Sequence, residues 1–189
     1  MTTLVTGFEP FGDSKVNSSE LVVTALGSLG RPGVITEILP TSYRGSEARI
    51  GELLRAHRPR TLLMLGLSEA TTKLRFEQVA LNLDDSDAPD NDGELRLRGR
   101  VVEGAPVGYW SSLELDRMAD ASRRLGERVL FSHDAGGFVC NHVFFTAAHL
   151  VATVYPATRC GFVHLPAVRA SDKRLSRFVE IVRTWIEDK

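Results

Sequence analysis

Apolar positions along the chain follow two rhythms. Thr3–Thr6, Val34–Leu39 and Thr61–Leu67 are short apolar-rich runs that read as strands, and the unbroken TLLMLGL suits a strand covered on both faces. Between the first two, Leu21, Val22, Ala25, Leu26 and Leu29 recur at helical spacing, behind an Asn17–Glu20 pair spaced as a capping box. Ile50, Leu53 and Leu54 mark a second helix, which Ser46 is placed to cap and Pro59 to close. In TKLRFEQVALNL, Leu74 and Phe76 share one strand face, whereas Val79 and Leu81 share the other. The period-2 phase breaks at Glu77, where a bulge or turn would aim a side chain.

The second half repeats the alternation. Asp84–Tyr109 is polar and rich in Gly and Pro, so it reads as an extended loop or a hairpin excursion. Ser111 and Glu114 have capping-box spacing ahead of a helix carrying Leu115, Met118 and Leu125, which Gly126 ends. RVLF is a strand. From Val139, the positions Val143, Phe144, Ala147, Leu150, Val151 and Val154 form a largely buried helix. CGFVHLP is a last strand, and Leu175, Phe178, Val179, Val182, Trp185 and Ile186 give a C-terminal amphipathic helix. Strands alternating with helices predict an α/β protein with a mostly parallel central sheet between helical layers. Sites in such sheets gather at the carboxyl ends of strands, here the loops after Thr6, Phe131 and His164.

Length and composition narrow this picture. A chain of 189 residues is expected to form one domain. A net charge of -1 supplies no global field for nucleic acid or a membrane surface, so neither partner is expected and the chemistry must be local. Two cysteines do not make a disulfide framework, and MTTLVTGFEPFG has neither a signal-peptide pattern nor a membrane span. Both features point to the cytoplasm.

Several motifs lose their first meaning on inspection. GFEPFG has phosphate-loop spacing, but Asp13 and Ser14 follow where Lys and Ser/Thr are needed; Phe8 and Phe11 instead either pack as core or wall an apolar pocket. DDSDAPDNDGE resembles a calcium loop, yet the register puts Ala88 at the first ligand position and Gly99 at the twelfth. Cys140, His142 and His149 do not match zinc spacings, so no metal is expected.

DAGGFVCNHVFF is sharper. A cysteine on an apolar helix is usually a small buried residue. Cys140, however, follows Gly136 and Gly137 at a helix N-terminus, where free backbone N–H groups would lower the thiol pKa and could hold an oxyanion. His164, at the end of a strand, is the candidate base, and Glu77, at the phase break, is the candidate to orient it.

Four blocks, LVTGFEPFG…VNSS, FEQVALN…DDSDAPDNDG, DAGGFVCNHVFF and GFVHLPA, come in the order found in the pyroglutamyl peptidase I (pyrrolidone-carboxylate peptidase) family of cysteine peptidases, which the chain resembles from Leu4 to about Pro166. The resemblance implies a three-layer α/β/α sandwich over 1–189 and a homo-oligomer, dimer or tetramer. It also implies removal of N-terminal pyroglutamate from blocked peptides without metal or cofactor. The family's nucleophile falls on Cys140, its base on His164 and its acid on Glu77; its substrate pocket falls on Phe8, Phe11, Asn17, Phe138 and Val139. The chain departs from the family at Leu67–Thr71, Gln78, Asp87 and Ala88. Asp87 stands where the family has an arginine that helps build the active-site region, so a charge is reversed there. Those departures leave open a hydrolase of another small N-acyl or cyclic amide, and a non-catalytic binding homologue.

Overall fold

The apolar run Thr61–Leu67 becomes the third strand, β3, near the middle of a six-stranded sheet, with only Thr61 partly exposed. The computed structural model describes residues 2–187. Its first half runs β1 (Thr3–Phe8), α1 (Ser18–Ser28), β2 (Val34–Leu39), α2 (Tyr43–His57), β3, β4 (Leu74–Glu77) and β5 (Val79–Leu81). Its second half runs β6 (Gly108–Trp110), α3 (Leu115–Arg124), β7 (Val129–Ser132), α4 (Val139–Thr153), β8 (Arg159–Leu165) and α5 (Lys173–Glu187).

The large sheet has the order β2-β1-β3-β8-β4-β7. All its pairings are parallel except β4 with β8, which is antiparallel. Alternating residues of the central strands face opposite layers, as strand geometry requires. Leu4, Leu62, Met64 and Phe162 pack with α2 and α4, whereas Val5, Leu63, Leu65 and Val163 pack with α1, α3 and α5. The α/β fold with a mostly parallel sheet between helical layers is therefore as the sequence pattern predicts.

Two helix starts differ from expectation. The cap of α2 is Ser42, whose extended backbone lets its Oγ accept the Gly45 N–H at 3.2 Å. Ser46 lies one turn inside the helix and donates its hydroxyl back to the Ser42 carbonyl. At α3, Glu114 occupies the cap position without a side-chain capping bond, and Ser111 instead hydrogen-bonds the Cys160 carbonyl at 3.4 Å. Asn17 does cap α1, accepting the Ser19 N–H at 3.0 Å.

The phase break after Glu77 is a change of sheet. β4 ends at Glu77, and after Gln78 the chain enters β5, which pairs antiparallel with β6 as a separate ribbon. The polar excursion between β5 and β6 folds back on itself through an Asp84–Gly99 bridge. Asn141 of α4 fastens the ribbon: its Oδ1 accepts the Leu81 N–H at 3.0 Å, and its Nδ2 donates to the carbonyls of Leu81 at 2.9 Å and Leu83 at 2.7 Å. No helix among the described residues is long and apolar enough to cross a membrane.

Candidate active site

The sheet register brings the acidic and basic candidates together. β4 and β8 run antiparallel with Glu77 opposite Phe162 and Arg75 opposite His164, so all four side chains share the face that packs on α4. His164 Nδ1 lies 2.8 Å from Glu77 Oε1. Both residues are buried, Glu77 completely. A buried carboxylate needs compensating partners, and Glu77 has two: the His164 ring and the Arg75 guanidinium, whose Nε stands 3.3 Å from the same oxygen. Arg75 also donates to Ser132 Oγ at 3.0 Å and to the Asp134 carbonyl at 2.6 Å. It thereby ties the end of β4 to the loop that leads into α4.

Cys140 arrives from that loop. Gly136 has φ +86°, the left-handed region where a side chain is disfavoured, and this turns the chain towards the helix. Gly137 is small for a different reason, since a Cβ there would collide with the backbone of Asp85, whose N–H donates to the Gly137 carbonyl at 2.9 Å. Phe138 is the N-cap of α4, and the first backbone turn closes from the His142 N–H to the Phe138 carbonyl. The N–H groups of Val139 and Cys140 thus precede the helical hydrogen-bond ladder. The sulfur rests against Gly66, the residue of β3 paired with His164: a Cβ on Gly66 would stand 3.0 Å from Cys140 Sγ and 2.7 Å from the Phe162 ring. Glycine in the middle of TLLMLGL leaves the space that the thiol and Phe162 occupy.

The thiol is not predisposed to ionise as its helix position suggests. Burial, then the negative charge of Glu77, push the Cys140 thiol up to about 12. Removal from water and a nearby carboxylate both act against the lowering expected at a helix N-terminus.

A cavity of about 300 Å³ opens beside Cys140 and His164. Phe8, Phe11, Asn17 and Phe138 line it, as do Thr41, Ser68 and Arg75. Phe11 and Phe138 meet with ring centroids 5.7 Å apart, and Tyr43 meets the Phe138 ring edge-on at 5.8 Å. Asn17 is held by its cap and by donation from Nδ2 to the Glu9 carbonyl at 3.1 Å. Val139 is a correction. Its side chain is fully buried among the core residues of α4, so it does not line the cavity. Asp87 is exposed and also outside the lining, so the reversed charge does not enter the cavity. His142 is likewise a core group rather than a base, with Nδ1 at 3.0 Å from Asp84 Oδ2.

Residue reasoning from sequence missed Arg75, Gly66 and Asn141. The lone glycine inside a continuous apolar run was the signal for Gly66. Asn141 directly follows the candidate nucleophile, and a polar residue on an apolar helix needs a partner.

Comparison with known proteins accounts for this arrangement. A family model described as pyroglutamyl peptidase matches residues 1–174. The chain belongs to the pyroglutamyl peptidase family. It is 32% identical over 167 residues to a pyrrolidone-carboxylate peptidase of Bacillus velezensis, covering 87% of this chain and 78% of that one. It is 37% identical over 169 residues to one from Streptococcus pneumoniae, covering 88% and 78%. Among solved structures, pyroglutamyl peptidase I of Bacillus amyloliquefaciens superposes with a TM-score of 0.89 at 28% identity, over 97% of this chain and 94% of that one. The pyrrolidone carboxyl peptidase of Fervidobacterium islandicum gives 0.91 at 29% identity, over 100% and 97%. Every cavity residue named above lies inside the segment that matches the pyroglutamyl peptidase model. Membership makes the chain a hydrolase of the cysteine-peptidase class, acting on peptides.

Proposed function

We propose that this protein removes N-terminal pyroglutamate from peptides, with Cys140 as nucleophile, His164 as general base and acid, and Glu77 as the group that orients the imidazole. The observation that carries the reading is the 2.8 Å pair between His164 Nδ1 and a fully buried Glu77, on the wall of a cavity that Cys140 shares. Glu77 accepts the Nδ1 proton, which leaves Nε2 as the basic nitrogen.

With burial and the charge of Glu77 pushing the thiol up, proton removal accompanies attack. Sγ forms a bond to the carbonyl carbon that follows the pyrrolidone ring as His164 Nε2 takes the thiol proton. The N–H groups of Val139 and Cys140 are placed to receive the oxyanion. Collapse breaks the C–N bond, and the leaving amine takes the proton back from His164. Water, deprotonated by His164, then splits the thioester and releases pyroglutamate. A pyroglutamyl ring has no charged amine, which suits walls made by Phe8, Phe11 and Phe138 and a volume at the low end of ligand pockets.

We infer a single pyroglutamyl-peptidase-like domain over 1–189 that works in the cytoplasm as a homo-oligomer, dimer or tetramer. Two free thiols support the compartment, and exposed Val107 and Trp110 on and beside β6 support self-association.

A panel of N-terminal groups on one dye amide tests the activity: pyroglutamyl, prolyl, acetyl-alanyl and a succinimidyl analogue. The expected result is a kcat/KM for the pyroglutamyl amide at least about a hundredfold above the others, since a pocket built for a ring's polar groups rejects analogues lacking them. Preference for another group would remove pyroglutamate as the substrate.

A further inference from the structure

The catalytic cavity takes walls from three loops outside the sheet: Phe11 between β1 and α1, Thr41 between β2 and α2, and Phe138 between β7 and α4. Side chains on separate loops keep a fixed spacing only if something ties the loops together. The excursion between β5 and β6 does so from outside, since none of its residues lines the cavity. Asn91 Nδ2 donates to the Pro10 carbonyl at 2.9 Å and to Glu9 Oε1 at 3.0 Å. The Asn91 N–H donates to the Thr41 carbonyl at 3.0 Å. Two more residues extend the tie: Asp90 Oδ2 accepts the Tyr43 N–H at 2.8 Å, and the Asp85 N–H donates to the Gly137 carbonyl at 2.9 Å. We propose that Asn91 is a positioning residue that sets the width of the catalytic cavity through Phe11, and so makes the protein choose a five-membered lactam over a six-membered one. The inference rests on the proposed peptidase activity and specifies how its substrate ring is selected.

Phe11 has little else to hold it. Pro10 has no N–H, so its carbonyl is its one backbone hydrogen-bonding group, and Asn91 takes it. Among the described residues, the backbone of Phe11 is held only by the Ser14 N–H on its carbonyl at 3.2 Å, a bond within the same loop. Glu9, earlier in the loop, is anchored without Asn91: its Oε1 accepts the Thr41 N–H at 3.2 Å and its carbonyl the Thr41 hydroxyl at 2.8 Å. Loss of Asn91 therefore frees Pro10 and Phe11 while the start of the loop stays in place. Asn91 itself stands on a firm support. Asp90 Oδ1 accepts the N–H groups of Asp92 at 3.0 Å and Glu94 at 2.8 Å, and the Gly93 N–H closes the turn on the Asp90 carbonyl at 3.0 Å. Phe138 is fixed separately, as the N-cap of α4 and by the edge-on Tyr43 ring. Phe11 meets it at 5.7 Å, so the two rings make one continuous wall, and a shift of Phe11 widens the cavity on that side. One methylene in an apolar pocket is worth about 10–200-fold in discrimination, which is available only while the walls keep their spacing.

The test is the ratio of kcat/KM for a pyroglutamyl dye amide to that for the 6-oxopiperidine-2-carbonyl dye amide, its homologue with one more methylene. A ratio taken on one sample does not depend on the folded fraction. The wild type is expected to favour the five-membered ring by about tenfold or more. Asn91→Ala should cut that ratio about fivefold, mainly through a higher KM for the pyroglutamyl amide with kcat little changed. Asn91→Asp, which keeps the shape but loses the side-chain donors, should do the same. In a Phe11→Ala background, Asn91→Ala should leave the ratio unmoved, because the wall that it positions is gone. An unchanged ratio in either single variant, even with a lower melting temperature, would overturn the positioning role, as would an equal cut in the Phe11→Ala background. A wild-type protein that cleaves neither lactam would instead overturn the activity beneath it, and calorimetric dissociation constants for the two free lactam amides would then decide the role of Asn91 by the same ratio.

Discussion

At the scale of single residues, the site depends on how one buried carboxylate is shared. Glu77 Oε1 meets both His164 and Arg75, while Oε2 has no hydrogen-bond partner among the described residues. Replacing Glu77 by Gln keeps the shape but removes the charge that stabilises an imidazolium, and kcat is expected to fall about a hundredfold or more with KM little changed. Arg75→Ala should act more mildly. It frees the Ser132–Asp134 segment ahead of the proposed oxyanion donors, so steady-state kinetics should give about a tenfold loss in kcat, partly restored by added guanidinium or by Lys at this position. A loss confined to melting temperature would show Arg75 to be structural only. The candidates Cys140, His164 and Glu77 were read from a helix start, a strand end and a break in strand phase, and the fold sets Glu77 against His164 and lines one cavity with Cys140 and His164. Arg75 was not, because a cation on a half-polar strand reads as a solvated side chain until the antiparallel register sets it across from His164. The surroundings of the half-buried thiol were also invisible, since they depend on Gly66 and Phe162 in strands far off in sequence.

At the scale of elements, α4 carries more than the proposed nucleophile. Consecutive residues serve different neighbours: Cys140 faces the cavity, Asn141 clasps β5, and His142 reaches the excursion. Asn141→Leu removes the side-chain partner of the Leu81 N–H and the Leu83 carbonyl, while the Leu81 carbonyl keeps the Leu83 N–H, and about 3 kcal/mol of stability should go with the lost bonds. Thermal unfolding would register that as a drop of roughly 6–12 °C for a chain of this size. His142 joins three segments: Nδ1 contacts Asp84, Nε2 lies 3.5 Å from Glu47 Oε2, and the Tyr43 ring meets it edge-on. Burial lowers its pKa, but the hydrogen bonds to Asp84 and Glu47 and the charge of Asp84 raise it more, against the repulsion of Arg96; the net shift is upward. A raised folded-state value means the protonated form stabilises the fold. That contribution is complete below the unfolded value of about 6.5 and is lost as pH rises through the folded one. Denaturant midpoints measured across this range should therefore decline with pH above about 6.5 in the wild type, and less so in His142→Gln. Element types were readable because the central strands are continuous apolar runs and the helices are periodic. The caps were less so: Ser42 and Ser46 are one turn apart, and only the backbone conformation of Ser42 selects it.

At the scale of the whole molecule, the topology explains why residues from β4, α4 and β8 converge. β4, which with β7 runs opposite to the other four strands, presents Glu77 to His164 from the opposite direction, and the chain then leaves the sheet. Alternating pattern predicted the layers and the parallel majority. Strand order and the reversal of β4 and β7 were beyond it, because they arise from long-range pairing rather than local periodicity. Val107 and Trp110 remain exposed beside the β5–β6 ribbon. If this surface joins subunits, Trp110→Lys should shift the sedimentation coefficient towards the monomer while wild-type protein at the same concentration stays assembled; identical sedimentation of the two would place the contact elsewhere. The central claim is that Cys140, raised to a thiolate only as His164 takes its proton, performs the cleavage. The direct measurement is turnover of a pyroglutamyl dye amide by Cys140→Ala, beside the wild type and Cys160→Ala. Loss of a nucleophile that acts as part of a unit should lower kcat by about 10⁴-fold or more in Cys140→Ala, with Cys160→Ala close to wild type. Turnover that survives in Cys140→Ala would contradict the account.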